Sequence, residues 1–263
     1  MDLGLQGARV FVAASSGGLG AAVARRFCLE GADVAINGRD PQRLAATAER
    51  LRAETGRVVL DLPGDVAQPE EVYAMVARAA EQLGGLDILV TNAGGPPAGT
   101  FGSVEPADYE LAFRLNFMSA VHLIRAALPH LRRSRRAAIL TITSVTVKQP
   151  VNNLILSNSV RMAVAGLTKS LVNELGPQGI RVNSILPGYT RTERVQQLME
   201  KRAQAEGISV EEAYARQAAI SPLGRLGEPE EFANVAVFLC SPAAGYVHGA
   251  MIPVDGGMIA ATL

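Results

Sequence analysis

The stretch ARVFVAASSGGLGAAVARRFCLE, residues 8–30, decides the start of the fold. Its first six residues, Ala8–Ala13, form a short apolar run that predicts a buried strand. A glycine-rich turn follows, and Leu19–Glu30 then shows the apolar periodicity of a helix. In this order of strand, turn and helix, the backbone N–H groups at the helix N-terminus can bind a pyrophosphate. The stretch therefore indicates an α/β fold that begins with a nucleotide-binding unit.

The rest of the chain continues this alternation of short apolar runs and longer helical patterns. Helix starts such as Asp40-Pro41 and Glu228-Pro229 place proline in the first turn. Continuous apolar runs are typical of strands covered on both faces. We therefore expect a single α/β domain over residues 1–263, a doubly wound parallel sheet of about seven strands with helices on both faces. The expected strands are Ala8–Ala13, Asp33–Asn37, Val58–Pro63, Ile88–Asn92, Ala137–Ser144, Arg181–Leu186 and Met251–Val254, and the expected helices are Leu19–Glu30, Pro41–Thr55, Pro69–Leu83, Pro106–Arg132, Ser157–Gly176 and Pro229–Leu239.

Composition excludes several function classes. The 263 residues carry 25 Lys plus Arg and 25 Asp plus Glu, so no net charge favours binding to nucleic acid or anionic lipid. Apolar residues make up 48% of the chain, which argues against disorder, and no membrane-spanning run or secretory signal is expected. Cys28 and Cys240 lie in apolar segments and predict buried thiols in a reducing compartment. We expect a cytoplasmic protein.

The segment Arg191–Gly227 differs from its surroundings. It is charged, helical in pattern and inserted between the sixth strand and the last helix. A segment in this position predicts a lid over a ligand cleft.

Several different short motifs are distributed along nearly the whole chain. They are Gly18-Leu19-Gly20, Gly64-Asp65-Val66, Thr91-Asn92-Ala93-Gly94, Asn116, Ser144, Arg181 to Gly188, Thr192, Gly227-Glu228-Pro229-Glu230-Glu231 and Val254-Asp255-Gly256-Gly257. Together these motifs resemble the short-chain dehydrogenase/reductase superfamily, in particular its 3-oxoacyl-ACP reductase-like members. The resemblance implies a Rossmann-like fold and an oxidoreductase that moves a hydride between a nicotinamide nucleotide and a small-molecule carbonyl or alcohol.

The resemblance also assigns residues and partners. It implies a homotetramer with Pro106–Arg132 and Ser157–Gly176 in one interface. Composition and the scattered histidines, rather than the resemblance, indicate no metal, nucleic-acid or membrane partner. The resemblance implies catalytic roles for Ser144 and Asn116, although Asn116 is also expected to kink its helix. The expected cofactor-binding residues are Ser15, Ser16, Gly18, Leu19, Gly20, Arg39, Asp65, Val66, Asn92, Ala93, Gly94, Arg161, Pro187, Gly188 and Thr192.

The first turn departs from the family pattern. Ala13-Ala14 stand where the family has Thr-Gly. Since an alanine side chain is disfavoured in the left-handed region, we expect a negative φ at Ala14.

The end of the second strand bears on the choice of nucleotide. Gly38 occupies the position at which the family carries an acidic residue that binds the ribose 2′-OH, and Arg39 follows it. A guanidinium can form two hydrogen bonds to a phosphate, so the sequence favours NADP(H) over NAD(H). NAD(H) stays possible if Arg39 only pairs with Asp40 or caps the next helix, which leaves Asp40 free to select NAD.

The largest departure concerns the proton. The family carries Tyr-x-x-x-Lys after the catalytic serine, whereas the matching positions here are Ser157 and Arg161. A phenol has a pKa near 10 and an aliphatic hydroxyl is a much weaker acid. General acid–base catalysis contributes about 10²–10⁴-fold, so this exchange alters a large part of the proton relay.

Three interpretations follow from this exchange. In the first, the protein is a reductase in which Ser144 and Ser157 polarise the carbonyl, Arg161 supplies charge, and water, Lys148 or Tyr189 supplies the proton. In the second, it binds NADP(H) with little or no turnover, as a sensor or scaffold subunit. In the third and least favoured, it runs a reaction that needs no cofactor. The family's halohydrin dehalogenase relatives have arginine at the lysine position, but they keep the tyrosine and lose the nucleotide turn.

Overall fold

Seven parallel strands form one sheet in the computed structural model, which describes residues 1–261. The order is β3-β2-β1-β4-β5-β6-β7, so the chain reverses direction across the sheet between β1 and β4. This confirms the predicted doubly wound, Rossmann-like α/β fold, whose ligands bind beyond the strand ends at such a reversal. The strands are β1 Arg9–Val12, β2 Asp33–Gly38, β3 Val59–Pro63, β4 Ile88–Thr91, β5 Ala138–Ile142, β6 Arg181–Pro187 and β7 Met251–Val254.

Helices cover both faces of the sheet. On β1, Val10 and Val12 face one apolar layer and Phe11 faces the other, because successive side chains of a strand point to opposite faces. Phe27 of α1 and Phe232 of α9 fill the first layer. The α-helices are α1 Gly18–Leu29, α2 Pro41–Thr55, α3 Pro69–Leu83, α4 Pro106–Phe113, α5 Ser119–Leu131, α6 Ile155–Leu175, α7 Glu193–Glu206, α8 Val210–Ala218 and α9 Pro229–Cys240.

One predicted helix is interrupted. The sequence predicts a continuous helix over Pro106–Arg132, whereas a π-helical turn, Arg114–Met118, separates α4 from α5. Asn116 is buried at its centre, and its Nδ2 donates to the Ala112 carbonyl at 3.2 Å. The amide thus competes for a backbone acceptor inside the helix, which accounts for the local widening.

The same helical run bears on the expectation that no segment could cross a membrane. By length and composition alone, Pro106–Leu131 is apolar enough to do so, with a mean hydropathy of 1.2 over its apolar window. Leu123, Ala127 and Leu131 are nevertheless fully buried in the layer that α3 and β4 also fill. The run therefore packs as a core helix does.

Residues 191–227 form an insertion after β6 whose two ends are hydrogen-bonded to each other. Its ends meet where the Arg191 N–H donates to the Gly227 carbonyl at 2.9 Å and the Gly227 N–H donates to the Tyr189 carbonyl at 3.0 Å. Between them, α7 and α8 bury a small apolar cluster of their own around Met199 and Ala213. The two ends of the segment are consequently held side by side, and Ser221 Oγ near its far end also donates to the Gly256 carbonyl after β7 at 2.9 Å.

Both cysteines are buried thiols, as predicted. Cys28 is 2% exposed and Cys240 is 1% exposed. Burial raises the pKa of each thiol to about 12, so both stay protonated and unreactive near neutral pH.

Candidate active site

A cleft of about 390 Å³ lies beyond the carboxyl ends of the central strands. Ala14 follows β1, Asn92 follows β4 and Thr143 follows β5, and all three line the cleft. A smaller pocket of about 150 Å³ shares Ala14, Ser16 and Gly94 with it. The two pockets therefore form one continuous groove across the reversal in strand order.

The turn after β1 is held in an unusual conformation. Ala14 has a φ of +46°, in the left-handed region, so the expectation of a negative φ is wrong. Asn37 Oδ1 accepts from the Ala14 N–H at 3.1 Å, and Asn92 Nδ2 donates to the Ala14 carbonyl at 3.1 Å. These two amides, from the ends of β2 and β4, fix the peptide groups on both sides of Ala14. They offset the roughly 1–2 kcal/mol that an L-residue costs in this region.

The N-terminus of α1 is open toward the cleft. Its N-cap, Gly17, has no side chain to cap the helix, and the N–H groups of Gly18, Leu19 and Gly20 have no acceptor among residues 1–261. Gly20 carries the close packing of the turn, because a Cβ there would lie 2.5 Å from the Ala14 carbonyl oxygen. Gly18, at a φ of +55°, faces Thr192 across the cleft. Unpaired N–H groups, a backbone free of side chains and a helix dipole together fit a pyrophosphate.

Ser15 is the expected cofactor residue that does not reach the cleft. Its side chain is fully buried beneath the turn, where Oγ donates to the Val12 carbonyl at 2.6 Å and accepts from the Asn37 N–H at 3.0 Å. The Ser15 hydroxyl thus donates one hydrogen bond and accepts another, and the two bonds connect the end of β1 to β2. Ser15 supports the turn, whereas Ser16 lines the groove.

The small pocket presents the residues expected at the adenosine end. Arg39, Asp65 and Val66 all line it, together with Asn37. Arg39 is exposed and has no ion-pair partner within residues 1–261. Asp40 instead caps α2, its carboxylate accepting from the N–H groups of Gln42 and Arg43 at 3.0 Å each. Asp40 therefore neither pairs with Arg39 nor faces the pocket.

Ser144, Ser157 and Arg161 meet at the other end of the cleft. Ser144 Oγ accepts from the Thr146 N–H at 3.2 Å, at the start of the 3-10 turn after β5. Ser157 is 8% exposed, and its Oγ lies 3.4 Å from Thr146 Oγ1. Arg161 Nη1 donates to the Thr143 carbonyl at 2.9 Å, which ties α6 to the end of β5. The structure thus brings three of the four expected catalytic side chains to one place.

Asn116, the fourth expected catalytic residue, is not among the residues that line the cleft. It lies buried in the π-helical turn, and its Oδ1 has no hydrogen-bond partner within the described part of the chain. The remaining expected residues of the large cleft, Asn92, Ala93, Gly94, Pro187, Gly188 and Thr192, all line it.

Comparison with known proteins shows which family this chain belongs to. A family model described as Enoyl-(Acyl carrier protein) reductase matches residues 13–259. Dehydrogenase/reductase SDR family member 4 of Oryctolagus cuniculus is 34% identical over 247 residues, which cover 94% of this chain and 91% of that protein. The chain belongs to the short-chain dehydrogenase/reductase family of oxidoreductases.

Two solved structures of short-chain dehydrogenases/reductases resemble it throughout. L-sorbose reductase from Gluconobacter frateurii, in complex with NADPH and L-sorbose, superposes with a TM-score of 0.95 at 34% identity and covers 99% of this chain and 100% of its own. An NADPH-bound short-chain oxidoreductase from Pseudomonas aeruginosa, described as containing an atypical catalytic centre, gives a TM-score of 0.89 at 33% identity and covers 98% and 99%.

For a short-chain dehydrogenase/reductase, the cleft is poor in acid–base groups. Within residues 1–261, the side chains that line it include no tyrosine, lysine, histidine or cysteine. Lys148 is exposed and lies outside the cleft, and Tyr189 lines a separate small pocket between the start of α9 and the end of β7. Burial raises the pKa of Tyr189, so its phenol is a weaker acid than in water. Neither of the two side chains considered as proton donors reaches the cleft.

Sequence reasoning missed two arginines of the cleft. Arg43 of α2 donates to the Ser16 carbonyl at 3.3 Å and forms an ion pair with Glu193 at 2.6 Å. Arg194, at the start of α7, donates to the Pro96 carbonyl at 2.7 Å. The only signal in the sequence was that Arg194 stands two residues after the motif threonine, Thr192.

These arginines set the electrostatics of the catalytic end. Burial and, to a smaller extent, the positive charge of Arg194 lower the pKa of Arg161 to about 10. Burial also lowers the pKa of Arg194. Both guanidiniums stay charged near neutral pH, so this end of the cleft is positive and stabilises negative charge on a bound oxygen.

Proposed function

We propose that this short-chain dehydrogenase/reductase binds NADP(H) and transfers a hydride between the nicotinamide and a small-molecule carbonyl or alcohol, using an atypical proton relay. The observation that carries the proposal is the continuous groove. It joins the uncapped N-terminus of α1 to a pocket with an unpaired Arg39 at one end, and to Ser144, Ser157 and Arg161 at the other. A substrate of the 3-oxoacyl type is one candidate.

The choice of NADP(H) over NAD(H) rests on charge. Asp40 caps α2 through Oδ1 and does not line the small pocket, whereas Arg39 lines it and is free to pair with a 2′-phosphate. The NADPH complexes of the two similar structures support the same choice.

The side chains at the catalytic end have distinct roles in this proposal. Bound NADPH would supply the hydride. Ser144 and Ser157 present hydroxyls that hydrogen-bond to the carbonyl oxygen, and Arg161 stabilises the negative charge that develops there. An arginine with a pKa of about 10 gives up its proton less readily than a phenol assisted by lysine, so water entering the open cleft supplies the proton.

The second candidate function is NADP(H) binding with little or no turnover. The lack of tyrosine, lysine, histidine and cysteine side chains in the described cleft favours it. Two measurements separate the candidates: NADPH binding by fluorescence, and NADPH oxidation across a panel of carbonyl compounds. Binding with measurable oxidation supports the reductase, binding without oxidation supports the sensor or scaffold, and no binding at millimolar NADPH or NADP⁺ contradicts both.

The double variant Ser157→Tyr plus Arg161→Lys sharpens the test, since Ser157 faces the cleft and a phenol there would project into it. If the natural relay is weak, the variant gains about 10²-fold or more in kcat at unchanged NADPH affinity. No gain, or a loss, means that the native serine and arginine already perform a different task. The single variant Ser157→Thr, which keeps a hydroxyl, serves as the control for disturbed packing.

Three further expectations belong with this proposal. The start of α7, where Glu193, Arg194 and Val195 line the cleft, supports a lid formed by α7 and α8. Exposed Leu111 and Phe113 on α4 and Met162 on α6 support a helical interface in a homotetramer. A cytoplasmic location stays a prediction from the sequence.

A further inference from the structure

Arg194 is a charged group of the cleft that hydride transfer by itself does not require. Its Nη2 donates to the Pro96 carbonyl at 2.7 Å, and its Nε lies 3.2 Å from where a Cβ on Gly95 would stand. Nη1 and Nε are left without a hydrogen-bond acceptor among residues 1–261. The side chain is therefore held in place by one bond with its other donors free.

Arg161 and Arg194 together leave the cleft with an excess of positive charge. The lining carries three cations, Arg43, Arg161 and Arg194, and one carboxylate, Glu193. Glu193 is already paired with Arg43 at 2.6 Å. Within the described chain, no carboxylate oxygen lies within 4.0 Å of Arg161 or Arg194.

Two like charges in a partly buried cleft repel each other and lose hydration, so they destabilise the free protein. The lowered pKa of each guanidinium reflects this cost. An anion that enters the cleft removes the cost, because it supplies the missing countercharge and accepts the free N–H groups.

The pyrophosphate of the cofactor is a poor candidate for this anion. The features that fit it lie at the N-terminus of α1, where Arg43 contacts the Ser16 carbonyl. Arg194 instead contacts the segment after β4, at Gly95 and Pro96, and it adds its charge to Arg161 at the catalytic end. The excess charge is thus next to the place where the substrate binds.

We propose that Arg194, with Arg161 as a second cation, binds an anionic group of the substrate, so that the preferred substrates are small carbonyl compounds carrying a carboxylate or a phosphate. The inference rests on the proposed function, since it assigns the substrate class of the same cleft. A guanidinium fork matches both anions through paired hydrogen bonds.

The test uses matched pairs of probes that differ in charge at nearly constant shape. These are 4-oxopentanoate against its methyl ester, and dihydroxyacetone phosphate against dihydroxyacetone, each followed through NADPH oxidation. We expect kcat/KM to be at least about tenfold higher for the charged member of one pair. The pair that responds tells whether the group is a carboxylate or a phosphate.

The variant Arg194→Gln should lower this preference by about tenfold or more, mainly through KM of the charged probe, and Arg194→Lys should restore part of it. Arg202→Gln is the matched control, because Arg202 lies on the same helix but pairs with Glu206 outside the cleft. It removes one positive charge from α7 and should leave the preference unchanged.

Calorimetric titration of 4-oxopentanoate and of dihydroxyacetone phosphate, with and without NADP⁺, gives a readout that does not depend on turnover. Binding of one probe that is weakened by Arg194→Gln supports the inference, even if the protein proves to be a non-catalytic binder. Equal handling of charged and neutral probes overturns it. So does an Arg194→Gln variant that weakens NADPH binding and keeps the charge preference, since Arg194 would then serve the cofactor. Failure of the proposed function shows separately, as absent binding when NADPH or NADP⁺ alone is titrated into the protein.

Discussion

At the scale of single residues, the small pocket depends on Arg39, which has no ion-pair partner among residues 1–261 because the neighbouring carboxylate of Asp40 caps α2. Asp40 is engaged at the start of α2, and this leaves Arg39 as the positively charged residue that lines the small pocket. The strand-end residues Gly38, Arg39 and Asp40 indicated this arrangement in the sequence. The structure adds the reason, which is that the Asp40 carboxylate caps α2 by accepting from two backbone N–H groups at Oδ1 and does not line the pocket.

The first prediction concerns Arg39. Replacing it in Arg39→Gln removes a guanidinium that can pair with a 2′-phosphate, so the Kd for NADPH should rise about tenfold or more while the Kd for NADH changes little. Fluorescence titration with both nucleotides measures this. Arg50→Gln, an exposed arginine of α2 outside both pockets, is the control and should alter neither constant. An equal loss for NADPH and NADH would assign Arg39 a structural role instead.

Residue identity alone did not reveal the conformation of Ala14. Alanine disfavours a positive φ, and the local sequence gave no reason to expect one. The reason lies in Asn37 and Asn92, whose amides come from the ends of two other strands and hold the peptide groups around Ala14. The same distance in sequence hid Arg194, since only the folded chain brings the start of α7 against Gly95 and Pro96.

At the scale of elements, the succession of β1, glycine turn and α1 was predictable, although the φ of Ala14 within the turn was not. Its glycines, the preceding strand and the following helix are all adjacent in sequence, so local chemistry determines them. The π-helical turn at Asn116 was less predictable, because a pattern of apolar residues continues through Pro106–Arg132 and does not show where the hydrogen bonding changes.

The second prediction tests the packing of this turn. In Gly20→Ala the new Cβ would lie 2.5 Å from the Ala14 carbonyl oxygen and 2.9 Å from the Ser15 Cα, both of them backbone atoms. The turn must therefore shift, and both the Tm and the affinity for NADPH should fall; calorimetry and fluorescence titration measure the two. Gly166→Ala in α6 is the matched control, because a Cβ there meets nothing within 4 Å. It should stabilise the helix by about 0.5–1 kcal/mol and leave NADPH binding intact. Unchanged NADPH affinity in Gly20→Ala would show that the turn tolerates a side chain.

At the scale of the whole molecule, a buried carboxylate stabilises the amino ends of the central strands, on the side of the sheet opposite the cleft. The Asp87 side chain, 3% exposed, accepts from Arg9 Nη2 at 2.8 Å, from Arg9 Nε at 3.0 Å and from Ser134 Oγ at 2.6 Å. Burial by itself would raise the pKa of Asp87, but the hydrogen bonds from Arg9 and Ser134 outweigh it and hold the pKa below its usual value. Asp87 thereby connects β1, β4 and the segment before β5.

The third prediction follows from that pKa. A carboxylate whose pKa is lowered by folding stabilises the protein fully above its unfolded pKa of about 3.9, and this contribution is lost as the pH falls through the folded value. Asp87→Asn should therefore lower the free energy of unfolding by about 2–3 kcal/mol at neutral pH and by less as the pH falls below about 4. Urea unfolding at several pH values measures both effects. Asp61→Asn, which breaks an exposed ion pair with Arg52, should cost under about 1 kcal/mol. A loss at Asp87 that does not depend on pH would contradict the assignment.

The groove is lined by residues that are far apart in the sequence, so its walls are translated at different times. Its walls include Ala14 near the start of the chain and Pro187, Gly188 and Thr192 far along it. A nascent chain that has emerged from the ribosome only as far as β5 has the glycine turn after β1 but not the opposite wall. We therefore expect nucleotide binding to arise late in translation, once β6 has joined the sheet.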